Sequence, residues 1–189
     1  MPIDPFDMLE ADHRSVAAML EALSDSEPGP ERAALVDKLT TAFEAHATYE
    51  EAAIYPFVPE VMGAEKEEEA EIEHGLAREG TKKLNEMVSL PGFGAAVEML
   101  EGGITHHVEE EESEMFPALR KALDDDTKAR LLNELRESKS AAGLPLMDPE
   151  VATKDELLHA AADAGIEGRS TMSKDQLVDA LGSIALNKA

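Results

Sequence analysis

Apolar residues recur every three to four positions along most of the chain, which is the spacing of one face of an α-helix. The first run follows Asp4 and Pro5, a favourable N-cap and a favourable first helical residue, and it extends to about Ser24. Its inward positions are Phe6, Leu9, Val16, Leu20 and Leu23. Pro28-Gly29-Pro30 then interrupts the pattern. This stretch predicts one amphipathic helix.

Four more runs of the same kind follow, and none of the chain has the alternation of a β-strand. The second run reaches about Tyr55, where Pro56 ends or kinks it, and the third spans residues 64–89. A fourth begins after Pro91-Gly92, and a shorter fifth is capped at Asp124. Four long helices joined by short turns predict an all-α, up-down-up-down four-helix bundle over residues 1–140, with the fifth helix packed on its side.

The C-terminal part of the chain reads as a separate small unit. Residues 141–152 predict a linker, because glycine and proline interrupt the helical pattern there. Residues 153–189 predict a helical hairpin, whose two short helices begin at Thr153 and Ser173.

The histidines of the predicted bundle repeat at a fixed distance. His13 and His74 are 61 residues apart, as are His46 and His107, and the same shift relates Glu50 to Glu111. Each copy continues into an aromatic-proline pair, Tyr55-Pro56 in the first and Phe116-Pro117 in the second. Two copies of this pattern predict one shared site between them.

The helical faces separate inward from outward positions. His46 and Glu50 lie one turn apart on the same face, and so do His107 and Glu111. All four histidines of the repeat fall in register with the apolar stripe of their own helix, so we expect them to point into the bundle. A single histidine on an apolar face is usually a hydrogen-bonded core residue, but four of them, one on each helix, indicate a metal site.

His106 and Glu110 have the same four-residue spacing and compete for the assignment. The 61-residue shift maps His106 onto Ala45, and its helical face carries Gly103 and Ser113, so we expect His106 to be a surface or outer residue. Tyr49 lies at the edge of the His46 face, and we interpret it as a packing residue. His159 has no partner of its type nearby.

Composition narrows the chemistry. The chain of 189 residues lacks cysteine, so its metal ligands would be nitrogen and oxygen, and a reducing cytoplasm suits it. A net charge of −24 disfavours nucleic acid and anionic lipid as partners. No apolar run is long enough to span a membrane. Nothing in the sequence indicates a catalytic triad or a phosphate-binding loop, so no catalytic residues separate from the metal ligands are expected.

Imidazole and carboxylate without thiolate suit iron, manganese or zinc, and six ligands are too many for one zinc ion. We therefore expect two iron ions, with Glu50 and Glu111 as the bridging carboxylates. A buried pair of carboxylates is costly without cations, and two metal ions offset that cost.

The pattern resembles the hemerythrin-like, or HHE cation-binding, family over about residues 4–120. The matching segments are Asp12-His13, His46 to Glu51 with Tyr55-Pro56, Glu73-His74, and His107 to Glu112 with Phe116-Pro117. The resemblance implies an oxo- or hydroxo-bridged di-iron centre in a four-helix bundle. It implies these metal ligands: His13, His46, Glu50, His74, His107 and Glu111.

Two observations leave alternatives open. Oxygen-carrying hemerythrins have a second histidine one turn after the third-helix histidine, where this sequence has Arg78. One iron would then lack a nitrogen ligand, which a further oxygen donor, a water or an open position would replace. The pairs Glu10/His13 and Glu71/His74 also imitate ferritin-like di-iron bundles, although that interpretation leaves His46 and His107 without a role. Glu10 and Glu71 could instead orient the two histidines.

These observations predict a non-heme di-iron protein that binds oxygen or hydrogen peroxide and reacts with it, with a catalase-like or oxidative-stress role. The alternative is a module that reversibly binds oxygen, nitric oxide or iron and signals through the C-terminal hairpin. That hairpin is similar to the N-terminal module of transcription termination factor Rho and to SAP-like hairpins. Because its charge is slightly acidic, we favour a protein partner over nucleic acid.

Overall fold

The computed structural model of the protein describes residues 4–145 and 152–186, and these residues form helices and turns without any strand. The predicted all-α class is therefore confirmed for the described ranges. The α-helices, in chain order, are α1 (Pro5–Ser24), α2 (Pro30–Tyr49), α3 (Val58–Val61), α4 (Ala64–Met87), α5 (Phe93–Glu110), α6 (Phe116–Ala122), α7 (Asp125–Ala141), α8 (Lys154–Asp163) and α9 (Lys174–Leu186). None of these helices is long and apolar enough to cross a membrane.

The four long helices surround a common interior. Helix α1 packs on α2 and α5, and α4 also packs on α2 and α5, so each long helix has two long neighbours. Helix α7 lies against α1 and α2, on the side of the bundle, as predicted for the fifth helix. The up-down direction of the helices stays a prediction.

Local chemistry explains where the first helix begins. The carboxylate of Asp4 accepts a hydrogen bond from the backbone N–H of Asp7 at 2.9 Å, and the carboxylate of Asp7 accepts one from Asp4. Pro5 occupies the first turn, where its missing N–H costs nothing. The predicted start of α1 therefore coincides with the observed one.

Helix α2 is shorter than the sequence pattern predicted. The α-helix ends at Tyr49, and the chain continues as a π-helical turn, Glu50–Ile54, followed by a 3-10 turn, Tyr55–Phe57. Helix α5 continues in the same way into a π-helical turn, Glu111–Met115. In both places a proline stands two residues after the π-helical turn and cannot donate to the helix ladder, and the turn has an i→i−5 hydrogen bond, from Tyr55 to Glu50 and from Phe116 to Glu111.

The apolar core consists of two clusters separated by a polar layer. Along α1, Phe6 and Leu9 belong to one cluster, and Val16 and Leu20 belong to the other. His13 lies between them in sequence and is itself buried. The apolar surfaces above and below this layer exclude water from it and hold the helices around it.

A third, smaller apolar cluster joins the hairpin of α8 and α9 to the bundle. Leu157, Ala161 and Leu177 of the hairpin are buried together with Ala11 of α1. Thr153 caps α8, with its side chain accepting a hydrogen bond from the N–H of Glu156. Residues 146–151, in the middle of the predicted linker, lie outside the described residues.

Candidate metal centre

The six residues predicted as metal ligands converge in the polar layer. Ligand atoms of His13, His46, Glu50 and Glu111 lie within 4.8 Å of one another, and those of Glu50, His74 and His107 form a second such group. All six side chains are buried. Glu50 belongs to both groups, so the two are parts of one cluster.

Each buried carboxylate contacts histidines of both copies of the repeat. Oε2 of Glu50 lies 2.9 Å from Nε2 of His46 and 3.4 Å from Nε2 of His74. Oε2 of Glu111 lies 3.3 Å from Nε2 of His13 and 3.4 Å from Nε2 of His107. Two ions held by the pairs His13/His46 and His74/His107 would therefore both be within reach of both carboxylates, the arrangement that bridging requires.

A second layer of carboxylates contacts the outer nitrogens of the histidines. Nδ1 of His13 lies 2.8 Å from Oε1 of Glu112, and Nδ1 of His74 lies 3.1 Å from Oε1 of Glu51. These two contacts are related by the 61-residue shift. A carboxylate on the outer nitrogen fixes the orientation of the ring and directs the inner nitrogen to the centre of the cluster.

The other two histidines follow the same rule. Nδ1 of His107 lies 2.8 Å from Oε2 of Glu73, whereas Nδ1 of His46 faces Oδ2 of Asp12 at 3.8 Å. Asp12 also forms an ion pair with the buried ammonium of Lys139 on α7. The 61-residue repeat of the sequence is thus also a repeat of contacts.

The sequence did not identify these orienting carboxylates correctly. Glu10 and Glu71 were the candidates, but Glu10 binds the guanidinium of Arg120 at 2.9 Å and Glu71 is exposed to solvent. A ferritin-like ligand set needs both of these carboxylates inside, so that alternative is wrong. The signal that could have found Glu51 and Glu112 is their position directly after the two inner glutamates, which makes them part of the repeat.

Electrostatics in the cluster favour charged carboxylates beside charged imidazoles. Burial disfavours the cation of His46, but Glu50 and Asp12 outweigh it and raise the pKa of His46 to about 10. Burial and Glu111 favour protonation of Glu50, yet His46 and His74 lower the pKa of Glu50 to about 2. In the absence of a cation, these pKa shifts favour a protonated His46 beside an ionised Glu50, and a bound cation would take the place of such a proton.

Several buried polar atoms of the cluster have no hydrogen-bond partner among the described residues. They are Nδ1 of His46, Nε2 of His107, both carboxylate oxygens of Glu50 and Oε2 of Glu111. An unsatisfied buried polar atom costs about 1–3 kcal/mol, so a native protein rarely places several at one point. Cations bound to the oxygens of the two glutamates and to Nε2 of His107 would remove that cost at these atoms, so the donor set fits a metal centre.

Tyr55 is the site residue that the sequence analysis missed. Its hydroxyl donates a hydrogen bond to Oε1 of Glu111 at 3.0 Å and lies 3.1 Å from Nε2 of His74. Burial and the charges of Glu50 and Glu111 raise the pKa of Tyr55, so the hydroxyl keeps its proton. The sequence signal for Tyr55 was the aromatic-proline pair, because the 61-residue shift relates Tyr55 to Phe116.

The two aromatic residues make the halves of the centre unequal. The Tyr55 ring stacks on His74 with centroids 5.3 Å apart, and the Phe116 ring stacks on His13 at 5.7 Å. Only the first of these rings carries a hydroxyl. One half of the cluster therefore has a polar group beside its histidine, and the other half has an apolar one.

Arg78 occupies the position of the additional histidine of oxygen-carrying hemerythrins, and it does not face the cluster. Its guanidinium binds both oxygens of Glu51, at 2.7 and 3.0 Å, and Glu44 at 2.8 Å. Because Glu51 contacts Nδ1 of His74, Arg78 holds the carboxylate that orients this histidine. The side-chain oxygen that lies beside Nε2 of His74 is the hydroxyl of Tyr55.

The remaining predictions for polar residues are consistent with the geometry. The hydroxyl of Tyr49 donates to the backbone oxygen of Leu131 at 2.7 Å, so Tyr49 is a packing residue. The His106 side chain is 62 % exposed and lies outside the inner cluster. His159 contacts the backbone oxygen of Asp155 within its own helix.

Comparison with known proteins agrees with this geometry. A family profile described as "Hemerythrin HHE cation binding domain" matches residues 4–119, which is more than half of the chain and includes all six residues of the cluster. No curated protein and no solved structure matches the chain.

Proposed function

Because the chain belongs to the hemerythrin HHE cation-binding family, we propose that it is a non-heme di-iron protein that binds oxygen or hydrogen peroxide and reacts with it. The family and the histidine-glutamate cluster make residues 4–119 a metal-binding helical domain. The proposed ligands are the six buried residues His13, His46, Glu50, His74, His107 and Glu111.

The observation that carries the proposal is the set of unpartnered buried atoms within that cluster. Two carboxylates, each in contact with histidines of both copies, supply ligands for two ions at once. Nitrogen and oxygen donors without thiolate suit iron, and the outer carboxylates that orient the imidazoles are typical of metal-binding histidines. A structural bundle with incidental histidines would leave these atoms unsatisfied.

The proposed reaction is the disproportionation of two hydrogen peroxide molecules into two water molecules and one oxygen molecule. When bound, iron supplies the electron exchange that this reaction needs. The chain supplies a dry, apolar surround and a hydrogen-bond donor at Oη of Tyr55, within hydrogen-bond distance of Glu111. Glu111 accepts the hydrogen bond from that hydroxyl, which holds it beside the proposed His74 half of the centre.

The test is to load the full chain with iron without oxygen, measure bound iron and then add hydrogen peroxide. We expect about two irons per chain, an absorption band of a bridged ferric pair and evolution of oxygen. A chain that retains much less than two irons would contradict the di-iron proposal. A chain that retains iron and evolves no oxygen would contradict only the catalase-like activity.

A second candidate function is reversible sensing of oxygen or nitric oxide, reported through the C-terminal hairpin. It is supported by the contacts of four successive residues of α1, some of which face the hairpin and the others the centre. Ala11 is buried against the hairpin and Arg14 binds Glu156 of the hairpin at 2.5 Å, whereas Asp12 and His13 contact the centre. A small shift of His13 would therefore move the surface on which the hairpin lies.

Reversible changes in the absorption spectrum on cycling oxygen, without consumption of peroxide, would favour this second function. The proposed location of the protein is the cytoplasm, which the lack of cysteine suits. The proposed partner of the hairpin is another protein, since the acidic surface disfavours nucleic acid.

A further inference from the structure

A second cluster of potential ligands lies outside the buried centre, between α4 and α5. Nε2 of His106 is 3.7 Å from Oε1 of Glu73 and 3.8 Å from Oε1 of Glu110. Metal bonds of about 2.0–2.2 Å allow two ligand atoms of one ion to be at most about 4.4 Å apart. One imidazole and two carboxylates are therefore spaced for a single divalent ion.

A cavity joins this outer cluster to the buried centre. Its volume is about 10 Å³, space for about one water-sized sphere, and its lining includes Glu73 and Glu110 of the outer cluster together with His107 and Glu111 of the inner one. His107 and Glu111 are at least nine-tenths buried, and Nε2 of the first and Oε2 of the second have no hydrogen-bond partner. The cavity thus lies between two inner side chains that carry unsatisfied ligand atoms and the two carboxylates of the outer cluster.

Glu73 belongs to both ends of this route. Its Oε2 binds Nδ1 of His107 at 2.8 Å, while its Oε1 faces His106. A cation held by the outer cluster would be one carboxylate away from a proposed inner ligand.

The opposite half of the bundle has no such cluster. The 61-residue shift relates Glu73 to Asp12, His106 to Ala45 and Glu110 to Tyr49. There Asp12 binds the ammonium of Lys139, which repels a cation, and Tyr49 is directed to Leu131. Among the described residues, the repeat therefore supplies two halves of the centre but one outer cluster. The route from the surface to the centre lies on the side of the bundle formed by α4 and α5.

We propose that Glu73, His106 and Glu110 form a loading site, at which a divalent metal cation binds before it passes through this cavity to the buried centre. The proposal rests on the proposed function for the destination of the ion. The net charge of −24 attracts cations to the surface, and carboxylates with an imidazole select divalent transition metals among them.

Lys66 regulates access to this site. Its ammonium binds Oε2 of Glu110 at 3.0 Å and Oε2 of Glu69 at 2.8 Å, and it lines the same cavity. A cation at the loading site must share Glu110 with Lys66 or displace it. Removal of this positive charge should therefore strengthen the site rather than weaken it.

The first experiment measures binding of manganese(II) to the iron-loaded full chain, from the paramagnetic resonance signal of the free ion. We expect one additional manganese per chain, and His106→Gln should weaken it by at least about tenfold. His159→Gln removes a histidine from the hairpin and should change nothing. Lys66→Ala should tighten binding severalfold, whereas Lys83→Ala, which breaks an ion pair with Glu86 on the same helix, should leave it unchanged. Equal binding by wild type and His106→Gln would overturn the site.

The second experiment follows uptake of iron(II) by metal-free protein without oxygen, at low iron concentration. His106→Gln should slow uptake by about tenfold and reach the same final iron content as wild type, because the inner ligands are intact. Uptake at the wild-type rate would overturn the loading role. A wild-type chain that retains no iron would instead contradict the proposed function, while manganese bound through His106 in the same protein would still support the outer site.

Discussion

The hydroxyl of Tyr55 lies 3.1 Å from Nε2 of His74 in a buried layer, in the half of the centre where this chain has Arg78 in place of the additional histidine of oxygen-carrying hemerythrins. The ring of Tyr55 also stacks on His74, so the hydroxyl is held in place by packing as well as by its hydrogen bond to Glu111. A polar group so placed can act on a small ligand without any movement of the backbone.

We expect Tyr55→Phe to keep the proposed iron content, because the ring still stacks on His74, and to lower peroxide turnover by at least about tenfold through loss of the hydrogen-bond donor at Oη. Oxygen evolution by iron-loaded protein measures this. Tyr49→Phe is the matched control: it removes a hydroxyl bound to Leu131 and should cost about 1 kcal/mol of stability while turnover stays normal. Normal turnover in Tyr55→Phe would refute the role.

His107 and His106 are adjacent in sequence but have opposite environments. His107→Ala should reduce bound iron to about one per chain or less, because it removes an inner nitrogen and one of the two histidines in contact with Glu111. His106→Ala should retain the wild-type iron content at saturation. Metal analysis after removal of loosely bound iron measures both, and equal iron contents in the two variants would contradict the ligand assignment.

Glu112→Ala should weaken iron binding by about 10- to 100-fold although Glu112 is not a proposed ligand, because His13 then loses the carboxylate that orients its ring. Competition with a chelator of known affinity measures the change. Glu109→Ala removes an exposed glutamate from the same helix and should have little effect. Similar losses in both variants would indicate a general effect of surface charge.

Leu39→Ala should lower the free energy of unfolding by about 2–5 kcal/mol, because Leu39 is fully buried in the apolar cluster that also contains Val16 and Leu20. Leu76→Ala is the same substitution at a position that is 68 % exposed, and it should change stability by no more than about 0.5 kcal/mol. Denaturant unfolding of the metal-free chains compares the two, and a loss of similar size in both would argue against this core.

Ala11→Glu should release the hairpin from α1, because a charge would replace a fully buried contact with Leu157 and Leu177. Amide hydrogen exchange in α8 and α9 should become faster by about tenfold or more. Ala18→Glu adds the same charge to an exposed position of the same helix and should leave exchange unchanged. Unaltered exchange in Ala11→Glu would mean that the hairpin does not depend on this contact.

Most of the fold and much of the candidate site could be predicted because they follow from local periodicity. The spacing of His46 and Glu50, and the choice of His107 over His106, depend only on which face of a helix a residue occupies. The end of α2 at Tyr49 could not be predicted in this way, because the π-helical turn that follows it depends both on Pro56 and on the tertiary packing of Tyr55. The suggestion that Glu10 and Glu71 orient the histidines was also wrong.

The sequence by itself determined the helices, the family and the six residues that meet in the centre, because a repeat of 61 residues places equivalent side chains on equivalent helical faces. Tertiary structure alone decided which hydroxyl and which carboxylates lie next to those residues. Such contacts join residues far apart in the chain, as with Tyr55 and Glu111 or His13 and Glu112, and they depend on the rotation and height of one helix against another. Periodicity determines the inward face of a helix, but only packing determines what that face contacts.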